Sequence, residues 1–358
     1  MRVLLGLVFC CGMVMPCVGQ AAGGDAAGLP KDPRGLLAAA APFYDFNDAA
    51  LKPWHLKASY QFYDAKGNPA EQGTFEYWWA SPKVRRSSWT RPGAARTDWS
   101  TADGKLFRQE IGAHLRYFER TLMEILSSPL PDHALIDSGR MELGLKSAPA
   151  GKVKMPCVTG SLRMFVGGKL ESHASSPPDD FCLDPASLAV RMTSSRDSIT
   201  TGYNQIVRTQ GRYLARQVDV SVGKQKVFSI TVQTIDSLNP ADPALTPGTD
   251  AVIAQNAISQ SSSCFAGDDV KSGSLETKVQ PHYPSMAKSN REQGDVILGV
   301  LIGPEGNVHD LEVLSTPSPA LADAAVEAVK QWHYRSCMSN GAAVEMDAIV
   351  YVFFMLRG

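Results

Sequence analysis

Cysteine and histidine have the widest chemical range of the side chains in this 358-residue chain, which holds seven of each. Cys10, Cys11 and Cys17 lie in an apolar N-terminal stretch, which leaves Cys157, Cys182, Cys264 and Cys337 in the remainder. No CxxC joins any of these four, so neither a zinc site nor a redox dithiol is expected. An even number of cysteines in an exported chain predicts disulfides. Of the three pairings, Cys157 with Cys182 and Cys264 with Cys337 keeps each bridge within one domain and is preferred. The histidines (His55, His114, His133, His173, His282, His309 and His333) are scattered, and no HExxH, GxSxG or P-loop accompanies them. Asp179-Asp180 reads as a loop pair rather than an acid and a base. Arg85-Arg86 is too small a basic spot to hold a polyanion. With 35 basic and 36 acidic residues and a net charge of −1, nucleic-acid binding is disfavoured. The expectation is a non-enzymatic protein with no metal or cofactor.

Binding, rather than catalysis, is therefore the function the elements must position. Arg2, a charge-free run from Val3 to Val18 and the small residues Gly19, Ala21 and Ala22 follow the order of a secretory signal. Cleavage is expected near Gln20 to Ala22. The apolar run, about 16 residues, is shorter than the roughly 20 of a spanning helix; an uncleaved anchor and a lipidated cysteine are the alternatives. Residues 22–50 read as a flexible or weakly helical lead-in rich in Ala, Gly and Pro. From 51 to 238 the chain is strand-rich. Trp54, Leu56, Ala58, Tyr60 and Phe62 alternate with more polar residues, the period of a half-buried strand. Short runs joined by turns such as Asp103-Gly104 and Gly223-Lys224 predict a large antiparallel sheet with few helices, one of them over 119–126. Residues 239–270, with Pro240, Pro243, Pro247 and a Ser-rich end, read as a linker with a coil span of roughly 25–30 Å.

Residues 271–358 form a second, α+β domain. Pro281 and Pro284 force an extended segment around His282 and Tyr283, and a short helix follows. Asp295–Ile302 is predicted as a strand with apolar residues on both faces. Pro304-Glu-Gly306-Asn307 turns it into a partner strand over 308–314. Leu321, Ala325, Ala328, Val329 and Trp332 form one helical stripe, and Met346–Leu356 is the closing strand. The ordered set Tyr283, Pro284, Ala287, Gly294, Pro304, Gly306, Leu321, Ala324, Ala325, Ala328, Val329 and Trp332, with Gly341 and Phe354, resembles the C-terminal domain of the TonB family. That resemblance implies two helices on a three-stranded antiparallel sheet. It also implies a periplasmic protein that binds an outer-membrane or periplasmic partner by β-strand addition, linked to outer-membrane transport. The edge would be the last strand, with Gln280, His282, Tyr283, Tyr351, Phe353 and Met355 as partner contacts. Cys337 stands where the family often has proline, and the long Pro-rich spacer of a force transducer is missing; energy transduction does not follow.

In pattern alone, the strand-rich region resembles the LolA/LolB-like lipoprotein-carrier fold, in which a curved sheet holds an acyl chain against helices. Trp78, Trp79, Trp89, Trp99 and Tyr117 would suit an apolar cavity, though filling a protein core is the favoured reading. A carrier of a lipid or other hydrophobic ligand is thus the second functional expectation. The expected location is the periplasm, with inner-membrane attachment if the signal stays uncut.

Overall fold

The structure, a computed structural model, describes residues 28–150, 153–163, 165–166, 169–170, 172, 178–195, 198–254, 258–259, 274–339 and 341–356. The signal, Cys10, Cys11, Cys17 and Cys264 lie outside these residues. Chain order begins with α1 (Pro33–Ala40), β1 (Trp54–Tyr63), β2 (Pro69–Trp79), β3 (Arg85–Arg91), β4 (Ala94–Ser100) and β5 (Leu106–Gly112). Three short helices follow: α2 (Tyr117–Arg120), α3 (Leu122–Ser127) and α4 (His133–Asp137). The strands resume as β6 (Met141–Ala150), β7 (Val153–Leu162), the minor pair β8 (Phe165–Val166) and β9 (Lys169–Leu170), β10 (Asp179–Leu183), β11 (Val190–Ser195), β12 (Ile199–Thr209), β13 (Arg212–Val222) and β14 (Gln225–Ser237).

With β15 (Val252–Ile253), all of these strands except β8 and β9, which pair only with each other, make a 13-stranded sheet in the order β15-β5-β4-β3-β2-β1-β14-β13-β12-β11-β10-β7-β6. Two wings meet at its centre, where β1 pairs antiparallel with β14, Tyr60 opposite Ile230. The strand alternation is as predicted: Trp54, Leu56, Ala58, Tyr60 and Phe62 are all buried. The topology has one strong consequence. Strands β5 and β6 belong to opposite wings, so the chain between them must cross a whole face of the sheet. Helices α2–α4 lie in that crossing and cover the inner face. Leu115, Phe118, Leu122 and Leu126 pack there against Tyr60, Phe228 and Val218. Burying an apolar side chain of this size is worth roughly 1.5–3 kcal/mol.

Described parts of the lead-in, read as flexible or weakly helical, and of the linker are packed. In the lead-in, Asp32 caps α1 through the Gly35 N–H, and Leu36, Leu37 and Ala40 are buried. The alanine and leucine run there is an apolar helical stripe. In the linker, Leu245 is buried against Trp78 and Leu238, Trp99 Nε1 donates to the Ala244 carbonyl at 3.0 Å, and β15 extends the sheet beyond β5.

The C-terminal region contains β16 (Ile258–Ser259), β17 (Leu275–Thr277), α5 (Ser285–Ser289), β18 (Gly294–Ile302), β19 (Val308–Ser315), α6 (Pro319–Val329), β20 (His333–Tyr334), β21 (Cys337–Ser339) and β22 (Ala342–Phe354). Strands β22, β18 and β19 form the predicted antiparallel three-stranded sheet. The chain adds to it β16, parallel to β22, and β21. Helices α5 and α6 cover one face through Ala287, Leu321, Ala325 and Val329. Ser318 caps α6, accepting from the Leu321 N–H, and Pro319 opens its first turn. At Gly306, φ is 91° and a Cβ would lie 1.8 Å from the Tyr334 carbonyl oxygen, so only glycine fits this turn.

Cys157 and Cys182 are bonded, facing each other on the neighbouring strands β7 and β10. Cys337 is also disulfide-bonded; its expected partner, Cys264, lies outside the described residues. The Cys157–Cys182 link closes a loop of 25 residues, and removing such a loop constraint costs about 2–4 kcal/mol. Cys182→Ser is expected to lower the urea midpoint of the oxidised protein accordingly and to abolish part of its sensitivity to reductant.

Candidate functional site

The crossing helices are held to the sheet by a buried charged network. Glu119 in α2 is fully buried. It accepts from Tyr60 Oη at 2.5 Å and from the Arg116 backbone N–H at 2.7 Å, and Arg91 Nε lies 3.0 Å from it. Arg91 also reaches Glu71 at 3.1 Å. A buried carboxylate with this many donors is well satisfied, whereas an unpaired one would be strongly destabilising.

The outer side of α2 carries the C-terminal domain. Arg120, 2% exposed in its side chain, donates through Nε to Asp347 at 2.8 Å and through Nη1 to Asp310 at 2.9 Å. The Tyr117 N–H donates to Glu312 at 3.0 Å. Ile297, Leu314, Ile349 and Tyr351 pack on the core of the first domain. At Gly299 a Cβ would sit 2.7 Å from the Tyr117 side chain, so the missing side chain lets the C-terminal sheet settle on α2. Burial raises the pKa of both Glu312 and Asp347; the Tyr117 N–H opposes this at Glu312, and Arg120 opposes it at Asp347. Arg108 adds a looser tie to Glu345 at 3.7 Å.

The residues predicted as partner contacts separate into three groups. Gln280 and His282 are exposed, on the extended segment before α5. Tyr283 is half-buried; its hydroxyl donates to the Glu292 carbonyl and its ring meets Phe354 edge-on at 5.4 Å. Tyr351 packs into the seam between domains, whereas Phe353 (57% exposed) and Met355 (78%) stand free of it. On the side away from β18, β16 pairs with Glu345 and Met346 of β22, and β21 pairs with its residues 342–344. Beyond Met346, the described strands pair with β22 only on its β18 side.

Two cavities flank α3. The first, about 650 Å³, lies between the helices and β10–β13, with Phe181, Tyr203, Ile125 and Val220 in its wall. Ile349 of the C-terminal domain also lines it. The second, about 620 Å³, lies on the β2–β5 side and includes Trp54, Trp89, Trp99, Arg108 and Asp347. Of the five aromatics singled out in the sequence, Tyr117 lines the first cavity and Trp89 and Trp99 the second. Trp79 is core, and Trp78 lies on the opposite face, stacked on His55 at 4.4 Å. Sequence reading missed Glu124, which borders both cavities. Burial, then the Asp347 carboxylate, raise its pKa to about 7. An acid placed next to the apolar residues Leu122, Ile125 and Leu126 was the only signal for it. Among the described residues, no three or more His, Cys, Asp or Glu side chains form a metal-binding group, and no helix is long and apolar enough to cross a membrane.

Three outcomes test this geometry. Arg120→Met strands Asp347 in the seam and should cost about 3–5 kcal/mol in urea unfolding. Gly299→Val should raise hydrogen exchange in residues 117–127 while leaving exchange within α6 unchanged. Because the Glu124 pKa is raised, the folded state holds its proton more tightly than the unfolded chain. Its contribution to stability is intact below the ordinary Glu pKa and declines as pH rises from about 4.5 to about 7. Glu124→Gln should remove that decline, worth roughly 2–3 kcal/mol by pH 8, in paired denaturation curves at pH 5 and pH 8.

Comparison with known proteins finds a family match for the C-terminal region. Residues 279–356 match the family described as Gram-negative bacterial TonB protein C-terminal. Protein TonB of Vibrio cholerae serotype O1 is 29% identical over 85 residues, 24% of this chain and 35% of the relative. The chain thus spans about a third of the length of that curated relative. Among solved structures, a DUF1329 family protein from Desulfovibrio piger aligns over 60% of this chain and 100% of its own, at 12% identity and TM-score 0.37. A putative outer membrane lipoprotein-sorting protein domain from Vibrio parahaemolyticus aligns over 59% and 96%, at 8% identity and TM-score 0.36. A LolA superfamily protein from Nitrosomonas europaea aligns over 61% and 99%, at 10% identity and TM-score 0.36. The resemblance to the TonB C-terminal domain covers the sheet and helices of the second domain.

Proposed function

We propose that this chain is a non-enzymatic protein of the bacterial envelope whose C-terminal domain takes up an extended segment of an envelope protein along the outer edge of β22. The observation that carries this reading is the edge itself, in a domain that matches the TonB C-terminal family over 279–356. The edge accepts a strand, since the chain's own β16 runs parallel to it at Glu345 and Met346. Strand addition satisfies main-chain donors and acceptors, and neighbouring side chains supply specificity. Phe353 and Met355, exposed at the end of that edge, are the side chains for this role. The charge-free run Val3–Val18 behind Arg2 supports export to the periplasm.

A second reading is favoured by a separate observation. A cavity of about 650 Å³ between a large sheet and its crossing helices falls in the size range of small-ligand sites, roughly 300–1,000 Å³. On this reading the first domain carries an amphiphilic ligand and the second domain docks it to its partner.

The first reading is tested with the full-length chain immobilised and exposed to envelope extract. A specific protein should be captured, and it should slow amide exchange in residues 347–354. The double variant Phe353→Asp, Met355→Asp should reduce capture at least about tenfold. Capture that leaves those amides unprotected, or no capture, would contradict edge pairing.

A further inference from the structure

The first cavity has a charge signature that narrows what it would hold. Its wall includes four carboxylate residues, Asp45, Glu124, Asp132 and Asp179, together with His133, and no lysine or arginine among the described residues. Asp132 is engaged, accepting from the Ala134 N–H at the start of α4. Asp45 likewise accepts from the Asn47 N–H. Glu124 differs: it sits on α3 where both cavities meet, and among the described residues no hydrogen bond or ion pair reaches its carboxylate. The nearby cation, Arg120, is already shared between Asp347 and Asp310. Glu124 is partly buried where it faces the cavities; a carboxyl group drawn away from bulk water without a partner is costly, and a ligand that supplies one recovers that cost.

We propose that this cavity binds an amphiphile with an apolar chain and a cationic amine, and that Glu124 is the group that holds the amine. The proposal rests on the carrier reading above and adds a chemical class to it. The apolar chain would lie along Phe181, Ile199, Val220 and Ile125, and the ammonium would donate to the Glu124 carboxylate. Anionic headgroups are disfavoured at the same place, because no lysine or arginine among the described residues lines this cavity beside the Glu124 carboxylate. Ile349 of the C-terminal domain forms part of the wall, so a bound chain would touch both domains.

The test is isothermal titration of the full-length protein at pH 8 with decylamine, decanol and decanoate below their micelle concentrations. Decylamine should bind at least about tenfold tighter than decanol, the size expected for one charge-assisted hydrogen bond, and decanoate should bind weakest. In Glu124→Gln, checked for folding by circular dichroism, the amine should lose that advantage while decanol binding stays within about twofold. Equal binding of the three probes, or an amine preference that survives Glu124→Gln, would overturn the anchor and leave the carrier reading intact. Failure of all three to bind would overturn both.

Discussion

The structure depends on how two sheets share one set of helices. A three-stranded sheet covered on one face by α5 and α6 leaves its other face to be buried or exposed, and an exposed apolar face is unfavourable in water. Here that face rests on α2, with Arg120 buried between Asp310 and Asp347. The same helix rests on the large sheet through Glu119, Tyr60 and Arg91. Four residues of α2 therefore serve two domains, and their position follows from the crossing that β5 and β6 require.

This seam explains which part of the C-terminal domain remains available. The face of its sheet is occupied, which leaves Phe353 and Met355, beyond the seam, as exposed apolar side chains at the end of β22. It also links the two proposed functions physically. Ile349 borders the first cavity and Asp347 the second, and both belong to β22, the strand proposed to meet a partner.

Much of this was legible in the sequence, because it rests on local periodicity. The alternation from Trp54 to Phe62 specified a strand with one buried face. Of the two apolar faces predicted for the strand 295–302, Val296, Leu298 and Val300 are buried against α6 and Ile297 against the first domain, while Leu301 on that second face is half-buried. The Cys157–Cys182 pairing followed from keeping bridges within a domain. Contacts between distant residues left no such trace. Arg120 and Asp347 are 227 residues apart, and neither belongs to a motif. Glu124 reads as a polar position on a short helix until the sheet and Asp347 enclose it. Tyr351 alternates like an exposed strand residue, but its face meets the other domain. The segments 33–40 and 239–254 were read from their Pro, Ala and Gly content, which obscured the few leucines that anchor them.

Small-angle X-ray scattering of the full-length protein tests the shared-helix arrangement most directly. With the C-terminal sheet seated on α2, the particle should be single-lobed, with a radius of gyration of about 20 Å for a chain of this length. A two-lobed distance distribution with a clearly larger radius would mean that the domains are separately solvated, and the account of the seam would be wrong.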